Sequence, residues 1–370
     1  MIQSDKSFYL WGWGGNLNAG DDAFLYVTAW GLRRHLKAQR LFVDGDLSGL
    51  ATSRAGISTA FRSGRSLPYL NRIRRHYYRA LADYFVVAGG SLFTTIQDTL
   101  ILGTDTHWER GGRGRIALGI SVGPFRSVEH ERHTIALLNS FKLTALRDDF
   151  SYEWAVASGV RSTIIRSFDI AVLLPLALGG VAPRRDRTIG VSLLSPGNFR
   201  EPYQPEQDIR RAEQFGAGLA RLVKNTDWKI VALSLCTHPK FSDEDVMSAF
   251  ARQFPRGIIE AVSHNGDIAK TFNVIRSCSH IIAMRLHGAI LAYAAGVPFH
   301  ILSYHDKCRQ FANTIGLPAD CLTDVTEPPY NPDLEAIRMF LSRSDLRASL
   351  TLQDAQSRAL LSFSSLAART

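Results

Sequence analysis

The sequence predicts an α/β protein made of two doubly wound, Rossmann-like domains that face each other across a cleft. Three observations predict it. Apolar runs of strand length alternate with helix-period segments along most of the chain, which is the pattern of βαβ units in parallel sheets. A Gly-, Pro- and Arg-rich stretch, LALGGVAPRRDR, breaks the alternation near the middle and reads as a linker. The chain's 370 residues also exceed one ordinary core and suit two domains of about 150–180 residues each. The expected divisions are an N-terminal domain over 1–178, a second over 188–330, and a helical tail over 331–370.

Each element follows from the same alternation. In the first half, strands are expected at SFYLWGW, RLFVDG, DYFVVAGG, RIALGISVG, KLTALRD and TIIRSFDIAVLL, with helices at Asp22–Leu36 and Glu129–Ser140 among the intervening segments. The second series has strands at TIGVSLL, WKIVALSL, GIIEAV, HIIAM and PFHILSY. Its helices are expected at Asp208–Lys224, Ser242–Phe254, Asp267–Ser277, Gly288–Ala295 and Lys307–Ile315. No internal repeat or low-complexity tract interrupts either series.

Composition narrows the function. Apolar residues make up 45% and charged residues 21%, which places the chain among globular proteins. The apolar run IAVLLPLALGGVA is too short to span a bilayer and contains Pro175. The first residues, MIQSDKSFYLWGW, lack the basic start and apolar core of a signal peptide, so a cytoplasmic location is expected. Four cysteines without metal-type spacing are expected to be reduced thiols. The formal charge of +9 favours anionic partners. Much of that excess sits between Arg54 and Arg79, where seven arginines occur with no acid. That segment reads as a solvated basic face or as peripheral contact with an anionic membrane. No nucleic-acid motif accompanies it, and no nucleic-acid partner is expected.

The residues that can carry chemistry fall at the carboxyl ends of the expected strands, where α/β sheets bind ligands. GGNLNAGDDAFL follows the first strand, and its Asn18, Gly20 and Asp21 allow a tight turn into a helix. VVAGGSLF runs a buried strand into Gly89, Gly90 and Ser91. Gly123-Pro124 ends a third strand, and Arg147 stands at the end of a fourth with Asp148 or Asp149 placed to cap the next helix. In AMRLHGAI, Arg285 and His287 sit where a short strand hands over to an apolar helix beginning at Gly288. Unpaired amides, a helix dipole and a guanidinium make an anion site there. His287 is a titratable ring beside it. A lone histidine is more often structural, but a polar entry into an otherwise apolar helix favours a site. Lys307 follows the neighbouring strand. No GxSxG, HExxH or Walker loop occurs, and His305 with Asp306 offers too few ligands for a metal. Neither a metal nor a cofactor is expected. The residues together indicate transfer of a group from an anionic small molecule to an acceptor.

In order, these motifs resemble the polysaccharide pyruvyl transferase family. The resemblance rests on Asn18-Ala19-Gly20-Asp21-Asp22-Ala23, Gly89-Gly90, Gly123–Phe125 and Arg147-Asp148 with Ser151. It continues through Arg285–Gly288 and Gly296, Pro298, Ser303, Tyr304 and Lys307. Ser91 departs from the third glycine frequent in the family. The resemblance implies a GT-B-like fold and transfer of pyruvyl from phosphoenolpyruvate to two hydroxyls of one hexose, giving a cyclic ketal. It implies donor binding by Arg147, Arg285, Lys307 and Gly288, with His287 as general acid/base. Asn18, Gly20, Asp21, Gly89, Gly90 and Ser91 are then acceptor-side or loop residues. The expected acceptor is a surface polysaccharide or exopolysaccharide, or its lipid-linked precursor at the inner membrane face. Two alternatives stand beside this reading: a GT-B glycosyltransferase using a nucleotide-sugar, and a non-catalytic glycan- or membrane-binding protein.

Overall fold

The computed structural model describes residues 6–43, 57–59, 68–93, 114–180, 183–195, 205–326, 333–343 and 346–369. They divide into two units. The first takes Met1–Asn16, Asp21–Ala177 and Gln353–Thr370, and the second takes Leu17–Gly20 and Leu178–Leu352.

In chain order the elements of the first half are β1 (Ser7–Trp11), α1 (Ala19–Leu36), β2 (Arg40–Val43), β3 (Ser58–Thr59), α2 (Pro68–Leu81) and β4 (Tyr84–Phe93). Then follow β5 (Gly114–Val122), α3 (Val128–Asn139), β6 (Phe141–Leu146), α4 (Asp149–Ala157), β7 (Thr163–Arg166) and the short α5 (Leu174–Leu178). The sheet order is β3-β2-β1-β4-β5-β6-β7, with every neighbouring pair parallel. From β1 the chain winds out to β3 and then crosses back to β4. The winding therefore reverses between β1 and β4, where the strand ends leave room for a ligand. All nine residues of β5 are buried, as expected of a strand covered on both faces.

The second half runs β8 (Thr188–Ser192), α6 (Pro205–Val223), β9 (Lys229–Ser234), α7 (Glu244–Ala251), β10 (Ile259–Ser263), α8 (Ile268–Ser277) and β11 (His280–Ala283). It continues through α9 (Leu286–Ala294), β12 (Phe299–Ser303), α10 (Asp306–Ile315), β13 (Leu322–Asp324), α11 (Leu334–Leu341) and α12 (Leu352–Ala367). This sheet is also wholly parallel, in the order β10-β9-β8-β11-β12-β13, and reverses between β8 and β11. Its core joins strand residues such as Ile189, Ile230 and Leu302 to Phe215 and Phe250 of the covering helices.

Three features differ from the sequence reading. The run TIIRSFDIAVLL is a strand only over its first four residues. Asp169 then accepts a hydrogen bond from the Ala171 amide and caps a 3-10 helix over Ile170–Leu173, so the apolar run turns into a buried helical corner. The helix after HIIAM starts at Leu286 rather than Gly288, which makes Arg285 its N-cap residue. The tail expected over 331–370 is shared between the units. α11 packs in the second. α12 returns to the first, where Phe363 stacks on His35 at 5.9 Å and Ser362 Oγ lies 2.7 Å from Ser167 Oγ. Of the basic segment, Arg54, Arg62 and Arg65 lie outside the described residues.

His300 on β12 is fully buried, with Nε2 2.8 Å from Thr323 Oγ1. Burial depresses its pKa to about 4 from 6.5. The unfolded chain therefore binds a proton that the folded one refuses, so the associated stability is present above pH 6.5 and lost as pH falls toward 4. Between pH 7 and pH 5 the loss from this group comes to about 2 kcal/mol. Urea denaturation at the two pH values should show that loss in the wild type and a smaller one in His300→Gln.

Candidate functional site

In the first unit the motifs converge on Arg147, at the carboxyl end of β6. The residue is 8% exposed, and each guanidinium nitrogen has a partner. Nε donates to Ser121 Oγ at 2.6 Å, Nη1 pairs with Asp169 Oδ2 at 2.8 Å, and Nη2 donates to Ser91 Oγ at 3.0 Å. Ser121 in turn donates to Asp148 Oδ2 at 2.5 Å. Asp148 caps α4 by accepting from the Ser151 amide, and Ser151 Oγ accepts from the Val122 amide. The Arg147 guanidinium also lies 5.8 Å from the centre of the Phe24 ring of α1. That ring closes over Gly89, whose φ of +69° a β-carbon would strain and whose space the ring already fills. The Asp21 carboxylate lies beside Gly90, whose φ is +84°. Asp21, Gly89, Gly90, Ser91 and Arg147 are thus brought together, and Arg147 ties the loops rather than standing as an open cation.

The second unit repeats the device. Arg285 Nε and Nη2 grip Asp243 Oδ2 and Oδ1 at 2.5 and 2.6 Å, and Nη2 also reaches the Phe241 carbonyl at 3.4 Å. Asp243 is 1% exposed and also accepts from the Cys236 amide at 2.9 Å. Burial pushes the Asp243 carboxyl up against the pull of Arg285. Burial also disfavours the charge on Arg285, but Asp243 outweighs it and the guanidinium is raised above its usual range. Its Nη1 has no partner among the described residues. Beside this pair, burial pushes the Tyr304 phenol above its usual range.

Asn18 and Gly20, expected among first-domain loops, belong to the second unit. Asn18 bridges to Cys236, the Ala19 amide donates to the Leu235 carbonyl at 2.9 Å, and the Thr237 amide donates to the Leu17 carbonyl at 2.9 Å. Asn18 Oδ1 accepts from the Gly20 amide at 3.1 Å, which caps α1. This clamp lays Gly20 flat on the His287 imidazole, so that a β-carbon at position 20 would overlap the ring. His287 is in the first turn of α9, whose opening amides lie at its positive end. Gly288 is also tightly placed, though less so, with its missing β-carbon's place 3.2 Å from Ala283 Cβ and Leu235 Cδ1. Lys307 opens α10, and its amide donates to His305 Nδ1 at 3.2 Å.

The residues that sequence reasoning missed are the acids. Asp169 and Asp243 carry no motif of their own, and only their places after a strand and before a helix mark them. A cavity also opens at the carboxyl end of the second sheet, lined by Leu193, Asp208, Arg211 and Met284 among others. Asp208 is fixed there by Ser195 Oγ at 2.5 Å and Arg211 Nη1 at 2.9 Å. All four cysteines are buried free thiols, and burial raises Cys278, Cys308 and Cys321 to about 12, so these three are poor nucleophiles. Among the described residues no three His, Cys, Asp or Glu side chains are grouped to hold a metal ion.

Two doubly wound units with polar clusters at their strand ends define a two-domain, GT-B-type fold. Solved structures share it. UDP-GlcNAc 2-epimerase from Methanocaldococcus jannaschii matches at TM-score 0.61 and 10% identity, over 98% of each chain. The UDP-GlcNAc 2-epimerase from Neisseria meningitidis bound to UDP-GlcNAc matches at 0.58 and 9%, over 96% of this chain and 99% of that one. The UDP-N-acetylglucosamine 2-epimerase from Rickettsia bellii matches at 0.59 and 12%, over 98% and 95%. At such identities the likeness is one of fold. No curated protein sequence matches the chain. Residues 18–306 match the family described as Polysaccharide pyruvyl transferase, and the chain belongs to that family. The match opens at Asn18, includes Gly20, Arg147, Arg285 and His287, and ends immediately before Lys307.

Two outcomes test this geometry. Gly20→Ala should cost about 1–3 kcal/mol by overpacking and displace the imidazole, seen as a shift of the His287 resonances. Unmoved resonances would show that the ring does not lie on Gly20. Asp243→Ala should cost about 3–5 kcal/mol, because it strands a buried guanidinium. In a double-mutant cycle with Arg285→Ala, the two losses should fall short of additivity by about 1 kcal/mol or more.

Proposed function

We propose that this protein transfers the pyruvyl group of phosphoenolpyruvate to two hydroxyls of one hexose in a surface polysaccharide or its lipid-linked precursor. The product is a cyclic pyruvate ketal and inorganic phosphate. The observation that carries the reading is the seating of Gly20 on His287: two family motifs, distant in sequence, meet at the amino end of α9. Family membership supplies the reaction class.

In this reading the donor phosphate lies at the opening amides of α9, with Arg285 Nη1 and Lys307 as its cations. His287 protonates C3 of the enol, which becomes the methyl group and leaves C2 electrophilic. One acceptor hydroxyl adds to C2, the C2–O bond to phosphate breaks, and the second hydroxyl closes the ring. Of the two hydroxyl protons released, one replaces the proton His287 gave to C3 and the other leaves with phosphate. Arg147, occupied on every nitrogen, takes the role of holding the first unit's loops rather than binding the donor. Asp21, Gly89, Gly90 and Ser91 are assigned to the acceptor side. Phosphoenolpyruvate is a cytosolic metabolite, which places the reaction in the cytoplasm, at the inner membrane face when the acceptor is lipid-linked.

The test is release of phosphate from phosphoenolpyruvate with a panel of hexose-containing acceptors. Wild type should release phosphate only when an acceptor is present. His287→Ala should lower kcat by about 10²–10⁴-fold while still binding phosphoenolpyruvate. Full turnover in that variant would remove the role of His287. Acceptor modification that requires a nucleotide-sugar instead would overturn the donor.

A further inference from the structure

α2 presents its apolar crest outward. A helix covering a sheet normally buries its apolar stripe and turns its polar face to water. Here Leu70, Ile73 and Tyr77 are 47%, 46% and 59% exposed, and their i, i+3, i+7 spacing puts them in one line. The opposite face anchors the helix. Tyr78 packs on Phe42 at 4.8 Å between ring centres, and Asn71 is buried. The Arg79 guanidinium lies over the rings of Tyr9 and Phe85, 5.3 and 5.9 Å from their centres. Tyr78 and Leu81 thus pack on the first unit's core beside Asn71 and Arg79, while a second apolar line faces out.

The helix sequence, PYLNRIRRHYYRAL, contains four arginines and no acid. Half-buried Arg74 and exposed His76 flank the crest on its two sides, whereas Arg75 lies on the far side of the helix with Asn71 and Arg79.

We propose that α2 lies on an anionic lipid surface, with Leu70, Ile73 and Tyr77 entering the interface and Arg74 and His76 at the headgroups. A second copy of the chain meeting this face about a twofold axis would set arginines against arginines. A lipid surface meets both features at once: it takes up exposed apolar side chains, favours tyrosine at its boundary and attracts a helix without acids. The inference rests on the proposed function only for the lipid-linked form of the acceptor.

Co-sedimentation of the full-length protein with vesicles tests it. Vesicles of phosphatidylglycerol and phosphatidylcholine should retain the protein, and phosphatidylcholine alone should not. The triple variant Leu70→Ser, Ile73→Ser, Tyr77→Ser should lose retention while keeping the wild-type melting temperature. Arg74→Gln should weaken partitioning roughly fivefold at low salt, and Arg75→Gln, on the far side of the helix, should not. Retention of the triple variant, or equal retention on both vesicle types, would overturn the proposal. A wild-type dimer that this variant dissolves would overturn it in favour of self-association. Pyruvyl transfer to a soluble acceptor should be unchanged in the triple variant. Vesicle binding without any transfer activity would instead leave α2 as a membrane contact and remove the pyruvyl transfer reading alone.

Discussion

A guanidinium taken out of water must be matched by an acid, and both units close their strand ends around one such match. In the first unit it is Arg147 with Asp169, each under 10% exposed. In the second it is Arg285 with Asp243, held through two parallel hydrogen bonds. A buried ion pair gains little net stability over an apolar one, but losing either partner is severe. Such a pair therefore fixes geometry. Through Ser91, Ser121, Asp148 and Asp169, Arg147 sets the ends of β4 and β5 and the turn after β7 against the end of β6. Through Asp243, Arg285 fixes the start of α9 against the start of α7.

This matching changes what the arginines can do. A neutralised guanidinium attracts an incoming anion less than an open one. The positive character at the start of α9 then comes from its opening helix amides and from the Arg285 guanidinium. The imidazole of His287 owes its place to close packing, because Gly20 carries no side chain to push it away. The Asn18 cap and the backbone bonds to Leu235 and Thr237 in turn hold Gly20. Two stretches far apart in sequence thus build one corner of the second unit.

Apart from the short edge strands β3 and β13, the strands, their parallel pairing and the polar residues at their carboxyl ends were legible in the sequence, because period and turn chemistry are local. What was not legible is pairwise. Nothing local tells that Arg147 meets Asp169, or that the acid before α7 receives Arg285, since each depends on which strand ends come together. The same limit hid the true setting of Asn18 and Gly20, which precede most of a first-unit helix yet cluster with the second unit. The run IAVLL misled for a different reason. An apolar run of that length suits a strand or a buried helical turn equally, and the Asp169 cap decides for the turn. The outward crest of α2 is the inverse case: its spacing is in the sequence, but the direction it faces is not.

The central claim is that the second unit holds the donor at the start of α9. The most direct measurement is diffraction from crystals soaked with phosphoenolpyruvate. The account predicts density for its phosphate at the Leu286 and His287 amides, with Arg285 Nη1 in reach and the imidazole beside the enol carbon. Density against Ser91 and Arg147 in the first unit instead would contradict it.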